Sequence, residues 1–469
     1  MLRRMSNYGS ADLGSAASAG FARDAAAPDA ADAEQGRYQP GRRAPGPVRR
    51  RPAGPSEPRA GEPRVRRGSI RLPSEVAWRL RAGHPWVYRD TLGGRPLREA
   101  PGDVLELYEA EGNFIARGIY DPEGPIAVRI VTRDSSEAID AQAVLRRVRA
   151  AQLVRSSLLE GAGALTAAPG ALNAYRVLHG EGDFLPGVTV DRYADFMVVH
   201  LFSAALEPLL PAVCDALEEV YAPRSIYVQK RYRPLGGDGP REPAELLRGP
   251  VAPVEIEVHE YGLRFGVDVT APLGTGLFPD LRQGRRAVAA RARGRRVLNL
   301  FSYTGALSLA AAAGGAPEVV SVDLSPKAHA RARRNLQHSG LAEAGHEFIA
   351  GDVMSVMVRM AERRRLFDMV IIDPPAFAQN RGQTFSAQRD YRELVTAALA
   401  LCDSGALLCC ASNAARFSLE EMITEIGLGS GRAARHVRIV EQLGLPPDFP
   451  IPAGFPEGNY LKFLTCAVI

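Results

Sequence analysis

The chain has 469 residues, 46% apolar and 24% charged, enough for two to four domains of ordinary globular character. It holds no run of about 18 uncharged apolar residues, which excludes a membrane-spanning helix, and its start lacks the apolar core of a secretory signal. Five cysteines with no CxxC pair exclude a disulfide scaffold and a zinc ribbon. No metal is expected, and a reducing cytoplasm is the expected location.

The net charge of +5 is local: residues 1–68 carry 13 Arg against 7 acidic residues, and the remainder is close to neutral. The basic balance therefore argues for nothing about the folded body. Residues 1–66, dense in Ala, Gly, Pro and Arg, show no hydrophobic periodicity and predict a disordered basic tail.

From 67 to about 140 the text turns to short strand-like runs, at 69–72, 103–108, 113–120 and 127–131, which predict a small β-barrel. Residues 141–158 read as an amphipathic helix studded with arginines. A middle α+β domain is expected over 141–265, with strands at 197–202 and 225–230 around a helix at 206–220. A loop over 233–252 and a hairpin at Tyr261-Gly262 complete it. Thereafter strands and helices alternate. Strands are expected at 297–301, 318–322, 347–350, 367–372, 406–411, 437–442 and 461–468. Helices are expected at 306–313, 326–338, 391–401 and 419–428. This predicts an α/β domain over 266–469 with a doubly wound, Rossmann-like sheet.

Such a sheet binds its ligand at the carboxyl ends of its strands. The first strand runs into Asn299, then Phe301-Ser302-Tyr303-Thr304-Gly305, with no GxGxxG and hence no tight pyrophosphate turn. One glycine among small hydroxyl residues suits a cofactor with an amino-acid tail and no phosphates, S-adenosylmethionine (SAM). Asp323 ends the second strand, where a carboxylate can accept ribose hydroxyls, and Asp352 follows the third, where it can accept an adenine amine. Each aspartate on its own could equally cap a helix. Asp373-Pro374-Pro375-Ala376-Phe377 ends the fourth strand, a stiff turn that aims a carboxylate and an aromatic at a base brought out of its helix.

From Ser69 to Ile469 the chain resembles the 23S ribosomal RNA methyltransferase family of the cytosine-C5 type. The resemblance rests on Gly83-His84-Pro85-Trp86-Val87, Leu185-Pro186-Gly187, Val190-Asp191-Arg192-Tyr193 and Thr275-Gly276-Leu277-Phe278 with Asp280 and Arg282. It continues through 297–305, Asp373–Phe377 and Phe455-Pro456-Glu457-Gly458-Asn459-Tyr460-Leu461-Lys462. It implies a PUA domain that holds RNA, a class I methyltransferase domain, and Phe278, Asp280 and Arg282 near the cofactor. Large-subunit ribosomal RNA is then the expected partner, with a homodimer left open.

One departure bears on the chemistry. Cytosine-C5 members carry a cysteine just past the fifth strand, where this chain has Ser412. Cytosine C5 is a poor nucleophile, and a thiolate must first add to C6. Cys410 lies two residues back, a candidate nucleophile or an inert core thiol. A related branch that methylates guanine N7 has text similar to Ser412-Asn413 with Arg416-Phe417, and to Gln388-Arg389-Asp390. No covalent step is then required. The expected site is thus Asp373, Ser412, Asn413 and Cys410 for catalysis. Phe377, Arg389 and Arg416 are expected to meet the substrate. Cytosine C5 is expected from the overall family, with guanine N7 or a catalytically silent RNA-binding homologue as alternatives.

Overall fold

The computed structural model describes residues 67–93, 97–159, 171–232, 242–375, 377–380 and 383–469. At 67, 377–380, 383–385 and 387 only the backbone is described. The tail expected over 1–66 lies outside the described residues.

The first domain is a five-stranded sheet with one helix. Its elements are β1 (Arg67–Arg71), α1 (Ser74–Arg81), β2 (Trp86–Tyr88), β3 (Val104–Tyr108), β4 (Phe114–Tyr120) and β5 (Ile126–Thr132). The spatial order is β1-β3-β4-β5-β2. Val76, Ala77 and Leu80 of α1, a short helix not expected from the sequence, pack on Leu105, Leu107 and Val128.

The middle domain begins with α2 (Ala141–Leu158), whose start is capped by the Asp140 carboxylate accepting from the Ala143 amide at 2.8 Å. Its sheet contains β6 (Ala174–His179), β7 (Val188–Tyr193), β8 (Phe196–Leu201), β9 (Ser225–Lys230) and β10 (Glu245–Arg248). The order is β10-β9-β8-β7-β6. Helix α3 (Leu210–Tyr221) makes the crossover between the parallel pair β8 and β9. Strand β10 forms inside the stretch expected to be a loop, antiparallel to β9. The hairpin β11 (Ile256–Glu260) and β12 (Leu263–Val267) turns through Tyr261 and Gly262, with φ +50° and +83°. Two consecutive left-handed residues are what a two-residue hairpin turn requires.

The third domain alternates as expected. Its elements are α4 (Arg282–Arg291), β13 (Arg296–Leu300), α5 (Ala306–Ala313), β14 (Glu318–Asp323), α6 (Pro326–His338), β15 (His346–Ala350), α7 (Val353–Glu362), β16 (Phe367–Ile372), the hairpin β17 (Phe377–Asn380) and β18 (Gln383–Ser386), α8 (Ala387–Leu399), β19 (Cys402–Ser412), α9 (Leu419–Arg432), β20 (Val437–Leu443) and β21 (Lys462–Val468). Helices α4 and α7 and the β17–β18 hairpin were not expected. The seven strands run β15-β14-β13-β16-β19-β21-β20, with β21 antiparallel to both neighbours. The order reverses at β13 and β16, which opens a crevice at their carboxyl ends.

The segment between β20 and β21 binds the three domains together. The Asp448 carboxylate, fully buried, accepts from the Arg282 guanidinium and from the Arg176 amide at 2.9 Å, and the Asp448 carbonyl accepts from Arg155 at 2.8 Å. Arg155 is itself paired in two-pronged fashion with Asp183 at 2.6 and 2.7 Å. Backbones meet closely: a Cβ on Gly182 would lie 1.8 Å from the Pro450 carbonyl oxygen, and one on Gly454 would lie 2.1 Å from that of Ala82.

Candidate active site

At the crevice lies a cavity of about 710 Å³ lined by the turn 301–304, Asp323, Leu324, Asp352, Val353, Asp373 and Asn413. The segment 273–278 closes it from above, with Phe278 and Tyr303 rings 5.6 Å apart. Phe301 and Tyr303 adopt left-handed φ values of +60° and +47°, unusual for aromatic residues. The Asp323 carboxylate holds this turn, accepting from the Tyr303 amide on one oxygen and from the Ser325 amide on the other, both at 2.8 Å.

The donor set fits SAM. Each Asp323 oxygen keeps a lone pair for a ribose hydroxyl. Asp352 caps α7, one oxygen accepting from the Ser355 amide and hydroxyl at 2.9 and 2.8 Å, which leaves its second oxygen for an adenine amine. Leu324 and Val353, the residues just after the two strand-end acids, supply flat apolar walls. Among the described residues the lining holds one arginine, Arg285, paired with Glu260 at 2.6 Å through two nitrogens, so none of them offers a free cation to a phosphate there. Leu273, Phe278 and Leu324, each about half exposed, give the mouth an apolar rim.

Asp373 stands at the end of β16, beside this cavity. Burial, together with the nearby Asp280 carboxylate, pushes its carboxyl up to about 7, against a partial pull from Arg285. Asn413 follows β19 on the neighbouring strand. Two side chains hold its turn: Lys462 on β21 donates to the carbonyls of Ala414 and Tyr460, both at 2.7 Å, and the Tyr391 hydroxyl donates to the Ala411 carbonyl at 3.0 Å.

A second hollow of about 310 Å³ adjoins the first and shares Leu273, Gly274, Phe278 and Asn413 with it. Its other walls include the polar side chains Arg176, Asp191, His200 and Arg231 of the middle domain, with Thr275 and Asp280 from the catalytic domain. Asp191 accepts from Arg176 at 2.6 Å and bonds His200 at 3.0 Å. Asp280 accepts from the Tyr460 hydroxyl at 3.0 Å.

The structure brings Phe278, Phe301, Ser302, Tyr303, Thr304, Asp323, Asp352, Asp373 and Asn413 to the main cavity, and Asp280 to the adjoining hollow. Several expectations need correction. Arg282 is fully buried on Asp448 and does not line the cavity. Asn299 is also fully buried, donating to the Ser308 hydroxyl at 2.9 Å inside the sheet. Gly305 lies outside the lining; it makes the turn at φ +75°, where a Cβ would strike Ala332 at 2.7 Å. Cys410 faces the core with Ile372, Tyr391 and Leu464, and burial with its bond to Cys466 drives its thiol well above the usual range. It lines neither cavity. Ser412 is fully buried, its hydroxyl accepting from the Ala414 amide at 3.3 Å, so it shapes the turn. Arg389 and Arg416 line neither cavity, and Arg389 pairs with Asp390 at 2.8 Å. The Phe377 side chain lies outside the described residues. Sequence reasoning missed Arg285, Leu324 and Val353; the last two could have been found as the residues following each strand-end aspartate.

Comparison with known proteins agrees with this geometry. Residues 175–457 match the S-adenosylmethionine-dependent methyltransferase family, and residues 70–133 match a PUA-like domain. The chain is 34% identical over 395 residues to ribosomal RNA large subunit methyltransferase I of Photobacterium profundum, covering 83% of this chain and 96% of that one. To the Escherichia coli protein of that name it is 33% identical over 393 residues, covering 82% and 96%. A crystal structure of a methyltransferase complexed with SAH superposes with a TM-score of 0.77 at 25% identity, covering 85% of this chain and all of that one. A SAM-dependent methyltransferase from Streptococcus mutans gives 0.75 at 24% identity, a likeness of fold. The chain belongs to the S-adenosylmethionine-dependent methyltransferases, in the family of ribosomal RNA large subunit methyltransferase I.

Proposed function

We propose that this enzyme methylates a base of large-subunit ribosomal RNA in the cytoplasm, and that the base is guanine, at N7. Residues 67–140 and 141–265 would hold the RNA, and residues 266–469 would carry out the transfer. The reading rests on Asn413, which lines both cavities while every cysteine of the chain is buried and lines neither. A cytosine-C5 reaction needs a thiolate beside the ring, and burial raises the thiols of Cys402 and Cys409 up to about 12 and that of Cys410 well above its usual range. Relatives named for ribosomal RNA methylation supply the substrate class.

When bound, SAM supplies an electrophilic methyl that the base takes with a ring lone pair, the carbon–sulfur pair returning to sulfur. Guanine N7 carries such a lone pair at neutral pH, so no proton need leave and no residue need add to the ring. Alignment and charge remain the protein's work. Asp323 would hold the ribose and Asp352 the adenine. Asn413 would donate its amide to the base edge beside N7. Asp373, when ionised, would stand opposite a ring that becomes cationic on methylation.

The test combines the purified full chain, unmodified large-subunit RNA and methyl-labelled SAM, with nucleoside mass spectrometry. Labelled 7-methylguanosine is expected. Labelled 5-methylcytidine would overturn the guanine assignment, and SAM binding with no label in the RNA would leave an RNA-binding homologue.

A further inference from the structure

A third cavity, of about 490 Å³, lies where the three domains meet. It shares Asn413 with the cofactor cavity, and it shares Arg176, Thr189, Phe202 and Asn413 with the polar hollow beside it. Its aromatic corner is made by Trp86 of the first domain and Phe455 of the catalytic domain, rings 4.5 Å apart and inclined by 73°. The indole N–H donates to Glu181 of the middle domain at 2.8 Å, which fixes the Trp86 ring. Pro450 and Ile451 add apolar surface.

The polar side of this cavity is unusual. Arg129 is only 7% exposed, yet its guanidinium makes no hydrogen bond with any described residue. Its nearest carboxylates, Asp121 and Glu181, lie at 3.6 and 3.8 Å, and its Nε is buried without a partner. The Thr189 hydroxyl, on the same wall, is also buried without one. Leaving such groups unpaired is costly unless a ligand completes them.

We propose that this cavity binds one unstacked nucleobase of the RNA, from the nucleotide next to the methylated one; the identity of the RNA rests on the function proposed above. A flat aromatic corner facing a guanidinium fork and a carboxylate is a donor–acceptor edge with a stacking wall, the chemistry that holds single-stranded bases. Glu181 and Glu457 in the lining offset Arg129 and Arg176, so the cavity holds no surplus of positive charge for a phosphate, and the base enters while the backbone stays at the mouth. The shared Asn413 wall makes the two occupants neighbours. The hollow that shares four residues with the cofactor cavity takes the target base in this arrangement, which leaves this larger space for the adjoining base.

The test uses the full chain and an unmodified large-subunit RNA transcript. Trp86→Ala and Arg129→Gln are expected to lower kcat/KM for RNA roughly 10- to 100-fold, the loss of one stacked base. The affinity for SAM should stay at the parental value, which also checks folding. Arg129→Lys should recover part of the loss. Ultraviolet crosslinking mapped by mass spectrometry should join the Trp86 or Phe455 peptide to the nucleotide flanking the modified one. Parental kcat/KM in Trp86→Ala and Phe455→Leu would overturn the proposal, even if Arg129→Gln does not fold. A crosslink at the methylated nucleotide alone would also overturn it. If the parent methylates no RNA, the function proposed above fails. The cavity is then judged by filter binding of the same transcript, where an affinity unchanged in Trp86→Ala overturns it and a comparable loss upholds it.

Discussion

Lys462 donates to the carbonyl of Ala414 at 2.7 Å, so β21 holds the turn that presents Asn413. Replacing it by Met strips that carbonyl and the one of Tyr460 of their donor. The turn then loosens without disturbing Asp323. Lys462→Met is expected to lower kcat at least about tenfold, since small misplacement of an aligning group is expensive, while the dissociation constant for SAM stays unchanged. Single-turnover kinetics alongside equilibrium dialysis checks both.

The carboxyl of Asp373, raised to about 7, puts a pH dependence into the reaction. If the ionised form acts, kcat rises with pH and levels off above about 7, and Asp373→Asn removes the inflection and lowers the plateau. Stability moves the opposite way. A carboxyl whose folded value lies above its unfolded value of about 4 binds more protons when folded, so its contribution is present at acid pH and is lost between about 4 and 7. Asp373→Asn is therefore expected to melt higher than the parent at pH 8 and alike at pH 4. Thermal melts at the two pH values check the sign.

Cys410 sits among core side chains, away from both cavities. Cys410→Ala should cost about 1 kcal/mol of packing and a few degrees of melting temperature, with kcat within twofold of the parent. Activity lost without loss of fold would restore a thiol mechanism.

Arg282 and Asp448 form a fully buried ion pair. Removing one partner strands the other charge, at a cost of about 3–5 kcal/mol. At roughly 2 °C per kcal/mol for a large domain, Arg282→Met should lower the melting temperature by about 6–10 °C. The double variant with Asp448→Leu should recover much of that, because two apolar side chains leave no charge unpaired. Differential scanning calorimetry of the three proteins decides it.

Much of the architecture was legible because its periods are strong. Helix 141–158 and helix 326–338 begin and end as expected, and each is capped by a side chain, Asp140 and Ser325. The helix Arg282–Arg291 escaped because its RQGRRAVAAR text carries few apolar residues and a glycine, and tertiary packing pays for what propensity does not. The strand Glu245–Arg248 hid in Pro- and Gly-rich text because it forms only against Ser225–Lys230. In the site, the strand-end aspartates were legible because the fold itself puts them at the crevice. Asn299 and Cys410 were not, since a motif names a strand without saying which of its alternating residues turn inward. Arg282 and Arg285 lie three apart on one helix, and two distant partners, Asp448 for the first and Glu260 for the second, decide which guanidinium reaches the cavity wall.

The segment carrying Asp448, Pro450 and Gly454 touches the middle domain and the first domain before returning to the strand that bears Lys462. Backbone meets backbone at Gly182 and Gly454, so one segment of the catalytic domain is packed against both other domains. Trp86 of the first domain, Glu181 of the middle domain and Phe455 of the catalytic domain are thereby held in one fixed arrangement, like three jaws of a single casting. If the proposed function holds, an RNA that binds across all three domains must bring its own shape to that casting.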